Sequence, residues 1–339
     1  PCERIMTTEN TEHPFANFIR ILGKGKKGSR PLTQAEAHQA MTMILAGEVE
    51  DMQLGAFLML MRVKEETAEE LAGFVQAVRD TLPKIASHTA DLDWSSYAGK
   101  RRHLPWFLLS SLLLAENNIK VLMHGSASHS EGRLFVQDVL SLFSLPIAQS
   151  FQNAEQQLTQ QNFSYLSLEQ LCPALNKMIH LRPLMGLRSP VHTLVRLINP
   201  FNADYSIQGI FHPSYRPVHQ EAALLLQQKN MAVLKGEGGE TERNPDMECL
   251  VQSVRNEQLS DEIWPALFPR RHVKPDHLDP QDLVKMWRGE LDNEFAEASI
   301  IGTTAVALKL LNKADTQAHA HKLAENYWQN RSKQCYAIP

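Results

Sequence analysis

Residues 181–200 read LRPLMGLRSPVHTLVRLINP. Three arginines, Arg182, Arg188 and Arg196, stand among apolar residues, and Pro183 and Pro190 divide the run. Ser189 is the residue type of an N-cap, and Pro190 suits the first helical position, where a missing N–H costs nothing. Val191, Leu194, Val195 and Ile198 then recur at i, i+3, i+4 and i+7, the stripe of a short buried helix that Asn199-Pro200 stops. Arg188 is therefore expected just before a helix N-terminus, whose free N–H groups attract anions, with Arg182 upstream serving the same pocket. The plainer alternative is that these arginines cap carboxylates in a seam between two domains.

On the N-terminal side the pattern is helical. Phe15, Phe18, Ile19 and Leu22 predict a helix that runs into GKGKKGSR, where Arg20, Lys24, Lys26, Lys27 and Arg30 bring five positive charges and no acid. A charge run alone usually marks a solvated turn. Thr33-x-x-Glu36 and Thr67-x-x-Glu70 are capping boxes. The first opens a helix with Ala37, Met41, Ile44 and Leu45 inward, closed near Gly47. Leu54, Phe57, Leu58 and Met61 mark a second helix, and Leu71, Phe74, Val75 and Val78 a third that Pro83 ends. Residues 15–83 are thus expected to form a helical domain, with 172–196 packed onto it and 1–14 as a loose leader.

After a polar linker near residue 87 the pattern changes. Short β-type runs at 119–123, 163–166, 205–211, 231–234 and 249–254 alternate with helical stretches at 104–116, 134–143, 217–228 and 295–311. Residues 317–331 read as a surface helix, and 332–339 as a tail. Such alternation argues an α/β domain over 87–331 with a mainly parallel sheet, so the whole is an α/β protein with a small all-α N-terminal domain. Ligands of such sheets bind outside the carboxyl ends of the strands.

Composition limits the function classes. The 34 basic and 38 acidic side chains give a net charge of −4, so any anion site must come from local clustering. The four cysteines (Cys2, Cys172, Cys249, Cys335) have no metal-ligand spacing and read as reduced thiols of a cytoplasmic protein. No apolar run approaches the ~20 residues that span a bilayer, so no membrane partner is expected. His319 and His321 do not share a helix face, which speaks against a metal there.

The run at 181–200 resembles the R-x-x-x-G-x-R-(T/S) segment, helix and N-P of anthranilate phosphoribosyltransferases and related nucleoside phosphorylases. Arg182, Gly186, Arg188, Asn199 and Pro200 match, whereas His192 stands where that family usually has Asn. Residues 32–74 resemble its N-terminal helical domain. The resemblance implies a helical domain joined to an α/β domain, a homodimer through the helical domain, and Arg182 against an aromatic acid acceptor. Met123-His124-Gly125-Ser126 resembles the family's K-H-G-N, which implies an acceptor site at His124, Gly125 and Ser126. The family's phosphoribosyl pyrophosphate loop, G-T-G-G-D, corresponds to DWSSYAGKRRHLPWF (93–107), where only Gly99 remains. Its acidic Mg²⁺ pair corresponds to 234–241, where Glu240 is a weak metal candidate and Thr241 replaces the second acid; Glu237 or Glu242 are possible substitutes.

Lys100, Arg101 and Arg102 put positive charge at the expected donor-phosphate site. With Lys24, Lys26, Lys27, Arg30, Arg188 and Lys235 they are expected to make a basic inter-domain cleft suited to a polyanion. Tyr97 and His103 are candidate stacking surfaces for unpaired bases, while Trp106, at the start of an apolar helix, reads as core. S-Y-x-G, an arginine segment continuing to H-T, and a single acid in the metal loop resemble the YbiB-type, nucleic-acid-binding branch of the superfamily. The expectation is a catalytically degenerate protein that binds single-stranded DNA or RNA without a cofactor. Two alternatives stand beside it. One is an active transferase that uses phosphoribosyl pyrophosphate and Mg²⁺ with an altered donor or acceptor, Arg182 and His124 orienting the acceptor. The other is a module for a small anion without turnover.

Overall fold

The computed structural model describes residues 12–127, 129–334 and 336. Of the expected leader and tail, residues 1–11, 335 and 337–339 lie outside the described residues. Four helices come first: α1 (Ala16–Gly23), α2 (Gln34–Leu45), α3 (Asp51–Lys64) and α4 (Ala68–Asp80). Both capping boxes form, each threonine accepting from the N–H three residues on and each glutamate reaching back to the threonine N–H. Buried Glu70 also accepts from the Leu32 N–H at 2.8 Å and the Lys64 ammonium at 2.7 Å. Its box therefore ties α4 to the start of α2. The two helices meet so closely that a Cβ at Gly73 would lie 2.8 Å from Ala37 Cβ and collide with the Gln34 carbonyl.

The α/β part holds one eight-stranded sheet: β1 (Leu92–Ser96), β2 (Val121–Gly125), β3 (Ile147–Ala148), β4 (Phe163–Ser167), β5 (Tyr205–Ile210), β6 (Asn230–Lys235), β7 (Cys249–Arg255) and β8 (Gln258–Trp264). Their order is β3-β4-β2-β1-β5-β6-β7-β8, parallel through β6, with β7 and β8 antiparallel. The β7–β8 hairpin turns at Asn256 and Glu257, both at positive φ, which matches strand twist. β1 is not among the strands expected from the sequence. Asp93, Ser95 and Ser96 are poor strand formers, yet they pair with β2 in register Leu92↔Val121 to Ser96↔Gly125 and with β5 on the other side. Asp93 Oδ2 accepts from the Ser206 hydroxyl at 3.0 Å, which offsets part of the cost of burying a carboxylate.

Each sheet face has its own core. α5 (Phe107–Glu116) and the helices Glu294–Leu310 and Gln317–Asn330 cover one face, burying Trp94, Trp106 and Trp328. The helical domain and the segment through 171–201 share the other core, which contains Leu175, Ile179, Val191, Leu194 and Ile198 together with Phe74 and Val78. Arg79 of α4 donates to the carbonyls of Leu197 (3.0 Å) and Ile198 (2.7 Å), fastening that segment to the helical domain. The carboxyl ends of β1, β5 and β6 open onto this junction. Among the described residues no helix is long and apolar enough to cross a membrane.

Candidate functional site

The backbone after β1 turns at Gly99, whose φ is +66° and where a Cβ would sit 2.8 Å from the Phe135 ring. Successive N–H groups presented this way form a concavity suited to an anion. Here the protein fills it with its own carboxylates. Ala98 and Gly99 donate to Glu240 Oε1 at 2.7 and 2.6 Å. Arg101 and Arg102 donate to Glu237 Oε1 at 3.2 and 2.6 Å. The Phe107 N–H at the start of α5 donates to Glu242 Oε2 at 2.8 Å. On the opposite side Arg133 Nη1 donates to the carbonyls of Ala98 (3.2 Å) and Gly99 (3.1 Å).

Lys100 lies inside this arrangement, its ammonium 2.5 Å from Glu242 and 3.1 Å from Glu237, and is only 2% exposed. Burial works against its charge, but the pull of Glu242 and Glu237 prevails and raises its pKa. Lys100 is thus an interior counter-ion, which corrects its expected place on a phosphate-binding surface. The same geometry corrects Glu240 as a metal candidate. Mg²⁺ is usually bound by one or two carboxylates together with waters and substrate phosphates. Glu240 instead commits Oε1 to two backbone N–H groups, and an ammonium already stands between Glu237 and Glu242. Glu240 Oε2 is left without a hydrogen-bond partner, but with an ammonium between its two acidic neighbours it makes a poor seat for Mg²⁺. Among the described residues no group of three or more His, Cys, Asp or Glu side chains is disposed to hold a metal ion.

His124 is completely buried. Its Nδ1 meets the Tyr97 hydroxyl at 2.6 Å, and its Nε2 lies 3.1 Å from Asp93 Oδ1 without the alignment of a hydrogen bond. Gly125 is pressed against the Ser96 carbonyl and lies where a Cβ would be 2.6 Å from the Tyr165 hydroxyl. Ser126 is buried as well. An acceptor cannot reach these three, and the expected acceptor contacts at His124, Gly125 and Ser126 are corrected accordingly. Tyr97, 1% exposed and bound to His124, offers no stacking face.

Charge gathers a short distance away. Arg188 is held at about 10, below its usual range, by burial and then by Arg133, Arg196, Arg182 and Arg62. Arg133 is likewise lowered, by burial first, with Glu237 and Glu240 opposing and Arg182 and Arg101 adding to the effect. Arg188 thus has Arg133, Arg182 and Arg62 for neighbours, and Arg133 has Arg182 and Arg101, which together make a stripe: Arg101, Arg133, Arg182, Arg188, Arg62. It starts after β1 and ends on α3 of the helical domain. Arg182 reaches Ser130 Oγ at 3.0 Å, and Arg188 has no carboxylate partner among the described residues. Arg62, Arg188, Arg196, His192 and Phe211 line a cavity of about 120 Å³ at the carboxyl end of β5. The helix at 191–197 breaks into Val191–Leu194 and a 3₁₀ turn, and Ser189 does not cap it. Its buried hydroxyl has no partner, because Pro190 occupies the capping position.

Two family models match the chain. A glycosyl transferase family helical bundle domain covers residues 16–82, and the α/β domain of the same family covers 107–331. The chain belongs to this family. It is 27% identical over 311 residues to the anthranilate phosphoribosyltransferase of Ignicoccus hospitalis, covering 88% of this chain and 90% of that one. It is also 27% identical over 206 residues to protein YbiB of Escherichia coli (strain K12), covering 59% of this chain and 64% of that protein. The fold is that of the anthranilate phosphoribosyltransferase of Thermus thermophilus (TM-score 0.79, 19% identity, 96% of both chains). The structure of the Saccharomyces cerevisiae enzyme in complex with PRPP and Mg has a TM-score of 0.77 at 16% identity, over 94% of both chains.

Within this family frame the remaining expected residues divide. Arg101 and Arg102 are exposed, and Arg101 joins the stripe. Lys24, Lys26, Lys27 and Lys235 are exposed. Arg30 is held by both oxygens of Glu36 at 2.7 Å, so its charge is largely spent inside the helical domain. His103 stacks on Phe295, centroids 4.3 Å apart and rings 18° from parallel, so one of its faces is already covered. Arg62, Arg133 and Phe211 were not singled out from the sequence. Arg62 near the end of α3 reads as an ordinary helix C-terminal cation, and an isolated Arg133 in GRLF has no pattern to distinguish it. Phe211, half exposed on the cavity rim, takes the place expected of Tyr97 as an aromatic surface.

Proposed function

We propose that this glycosyl transferase family protein is catalytically degenerate and binds single-stranded nucleic acid, DNA or RNA, in the cleft between its two domains. The observation that carries this reading is the arginine stripe from Arg101 to Arg62, in which Arg188 and Arg133 are held below their usual range by burial first and then by neighbouring arginines. A line of cations crossing two domains matches a backbone that carries a phosphate at each nucleotide better than it matches one small phosphorylated sugar. Phe211 beside the stripe provides a face for an unpaired base. Glu237, Glu240 and Glu242 support the loss of catalysis, because they occupy the N–H groups that a pyrophosphate would need. Two copies joined through the helical domain would present two such clefts.

The names of relatives favour a second reading, transfer from phosphoribosyl pyrophosphate with Mg²⁺. Calorimetric titration separates the two. A dT12 oligonucleotide is expected to bind in the micromolar range or tighter at 100 mM salt, while phosphoribosyl pyrophosphate with Mg²⁺ shows no saturable heat below millimolar concentration. Micromolar, Mg²⁺-dependent donor binding with conversion of anthranilate would establish the transferase instead.

A further inference from the structure

The cavity at the carboxyl end of β5 contains more than cationic charge. Ser189 Oγ and His192 Nε2 both belong to residues more than nine-tenths buried, and neither atom has a partner. Glu66 Oε2 is a third such atom among the lining residues. Leaving a buried polar atom unpaired costs about 1–3 kcal/mol, so a cavity with three of them calls for a ligand that pairs with them. Arg62, Arg188 and Arg196 line the same cavity. Glu66 on the same wall faces Arg62, and Glu240 attracts Arg196, so Arg188 carries the charge left over.

The protonation of His192 narrows the ligand further. Its Nδ1 lies 3.2 Å from the Ser189 carbonyl, and a carbonyl oxygen can only accept, so Nδ1 carries the hydrogen. Burial, then His129 and Arg188, keep the ring neutral. Nε2 consequently keeps an unpaired lone pair on a residue that lines the cavity. A ligand for this place must be negatively charged and must also bring a proton. Carboxylates and phosphodiesters have lost theirs at neutral pH, whereas a phosphomonoester, with a second pKa of about 6, keeps one in about a tenth of its molecules at about pH 7, and the site would bind that monoanion. We propose that this cavity is a phosphomonoester site: Arg188 binds the phosphoryl oxygens, Ser189 donates its hydroxyl, and His192 Nε2 accepts the ligand's remaining proton. On the nucleic-acid reading of the cleft, on which this assignment rests, the group is a terminal phosphate of the strand. The same chemistry would also take a free phosphorylated metabolite.

Fluorescence anisotropy with dT12 bearing a 5′-phosphate, a 3′-phosphate or hydroxyls at both ends tests the assignment, with methyl phosphate and dimethyl phosphate as competitors. One phosphorylated end should bind about tenfold tighter than the hydroxyl strand. His192→Phe should abolish that gain while leaving the thermal midpoint and the hydroxyl-strand affinity within a few-fold of wild type. Arg188→Gln also removes a charge of the stripe, so it should abolish the gain and weaken the hydroxyl strand as well. Ser189→Ala, the mildest change, should reduce the gain in part and gives a reading if a larger substitution impairs folding. Methyl phosphate should displace the gain and dimethyl phosphate should not. Saturable binding of methyl phosphate without any gain for a phosphorylated strand assigns the site to a free metabolite. Equal affinity for all three strands, with neither phosphate competing, overturns the site while leaving the cleft reading intact. Loss of all oligonucleotide binding in wild type overturns the cleft reading, and the methyl phosphate titration then decides the cavity alone.

Discussion

Lys100 shows how one residue's chemistry depends on what its neighbours require. As a lysine beside two arginines it reads as part of a surface patch, yet buried Glu242 and partly buried Glu237 draw it inside to neutralise them. Removing one partner of a buried ion pair leaves the other charge unpaired, at about 3–5 kcal/mol. Lys100→Ala should therefore lower the stability measured by urea unfolding by about that amount. Arg101→Ala, on the exposed neighbour, should change it by less than about 0.5 kcal/mol. A neutral outcome for Lys100→Ala would mean that the glutamates are not ionised around it. Arg331 is a similar case near the C-terminus. It donates to the carbonyls of Met286, Trp287 and Trp328 and lies over the Trp328 ring, so it is a structural residue and unsuitable as a neutral surface control. Lys313 serves better. It follows Asn312, which bonds Tyr205 at the start of β5, the end of the sheet away from the cleft.

At the scale of elements, the helical domain depends on the contact of α2 with α4. Gly73→Ala should destabilise by about 1–3 kcal/mol, because the new methyl meets backbone that cannot withdraw. Thermal unfolding monitored by circular dichroism measures this, and an unchanged midpoint would show that the helices can separate at little cost. These helices were legible in the sequence because their signals are local. Thr33, Glu36, Thr67 and Glu70 carry the caps within four residues, and the apolar stripes repeat every turn. β1 was not legible, since Asp93, Ser95 and Ser96 become a strand only when β2 and β5 flank them. The site was the least legible part. The partners of the 97–102 loop lie about 140 residues away, at Glu237, Glu240 and Glu242, and no local pattern connects them. Arg182, Arg188 and Arg101 were nevertheless visible as local basic clusters, and they remain in the stripe.

The molecule as a whole keeps the architecture of its family while filling the loop that would hold a pyrophosphate with its own acids. Charge for a ligand is left on the arginines between the domains, and with a net charge of −4 the proposed nucleic-acid binding would have to use that stripe. The salt dependence of single-strand binding tests this most directly. Each phosphate neutralised on a single strand contributes about −0.7 to the slope of log K against log[salt]. The measurement is a fluorescence-anisotropy titration of dT12 with hydroxyl ends at several salt concentrations. It compares wild type, an Arg101→Ala/Arg182→Ala double variant, and Lys313→Ala. The double variant should flatten the slope by about 1.4, twice the single-contact value, with Lys313→Ala matching wild type. An Arg101/Arg182 variant with the wild-type slope, or a wild type that does not bind at physiological salt, would contradict the account.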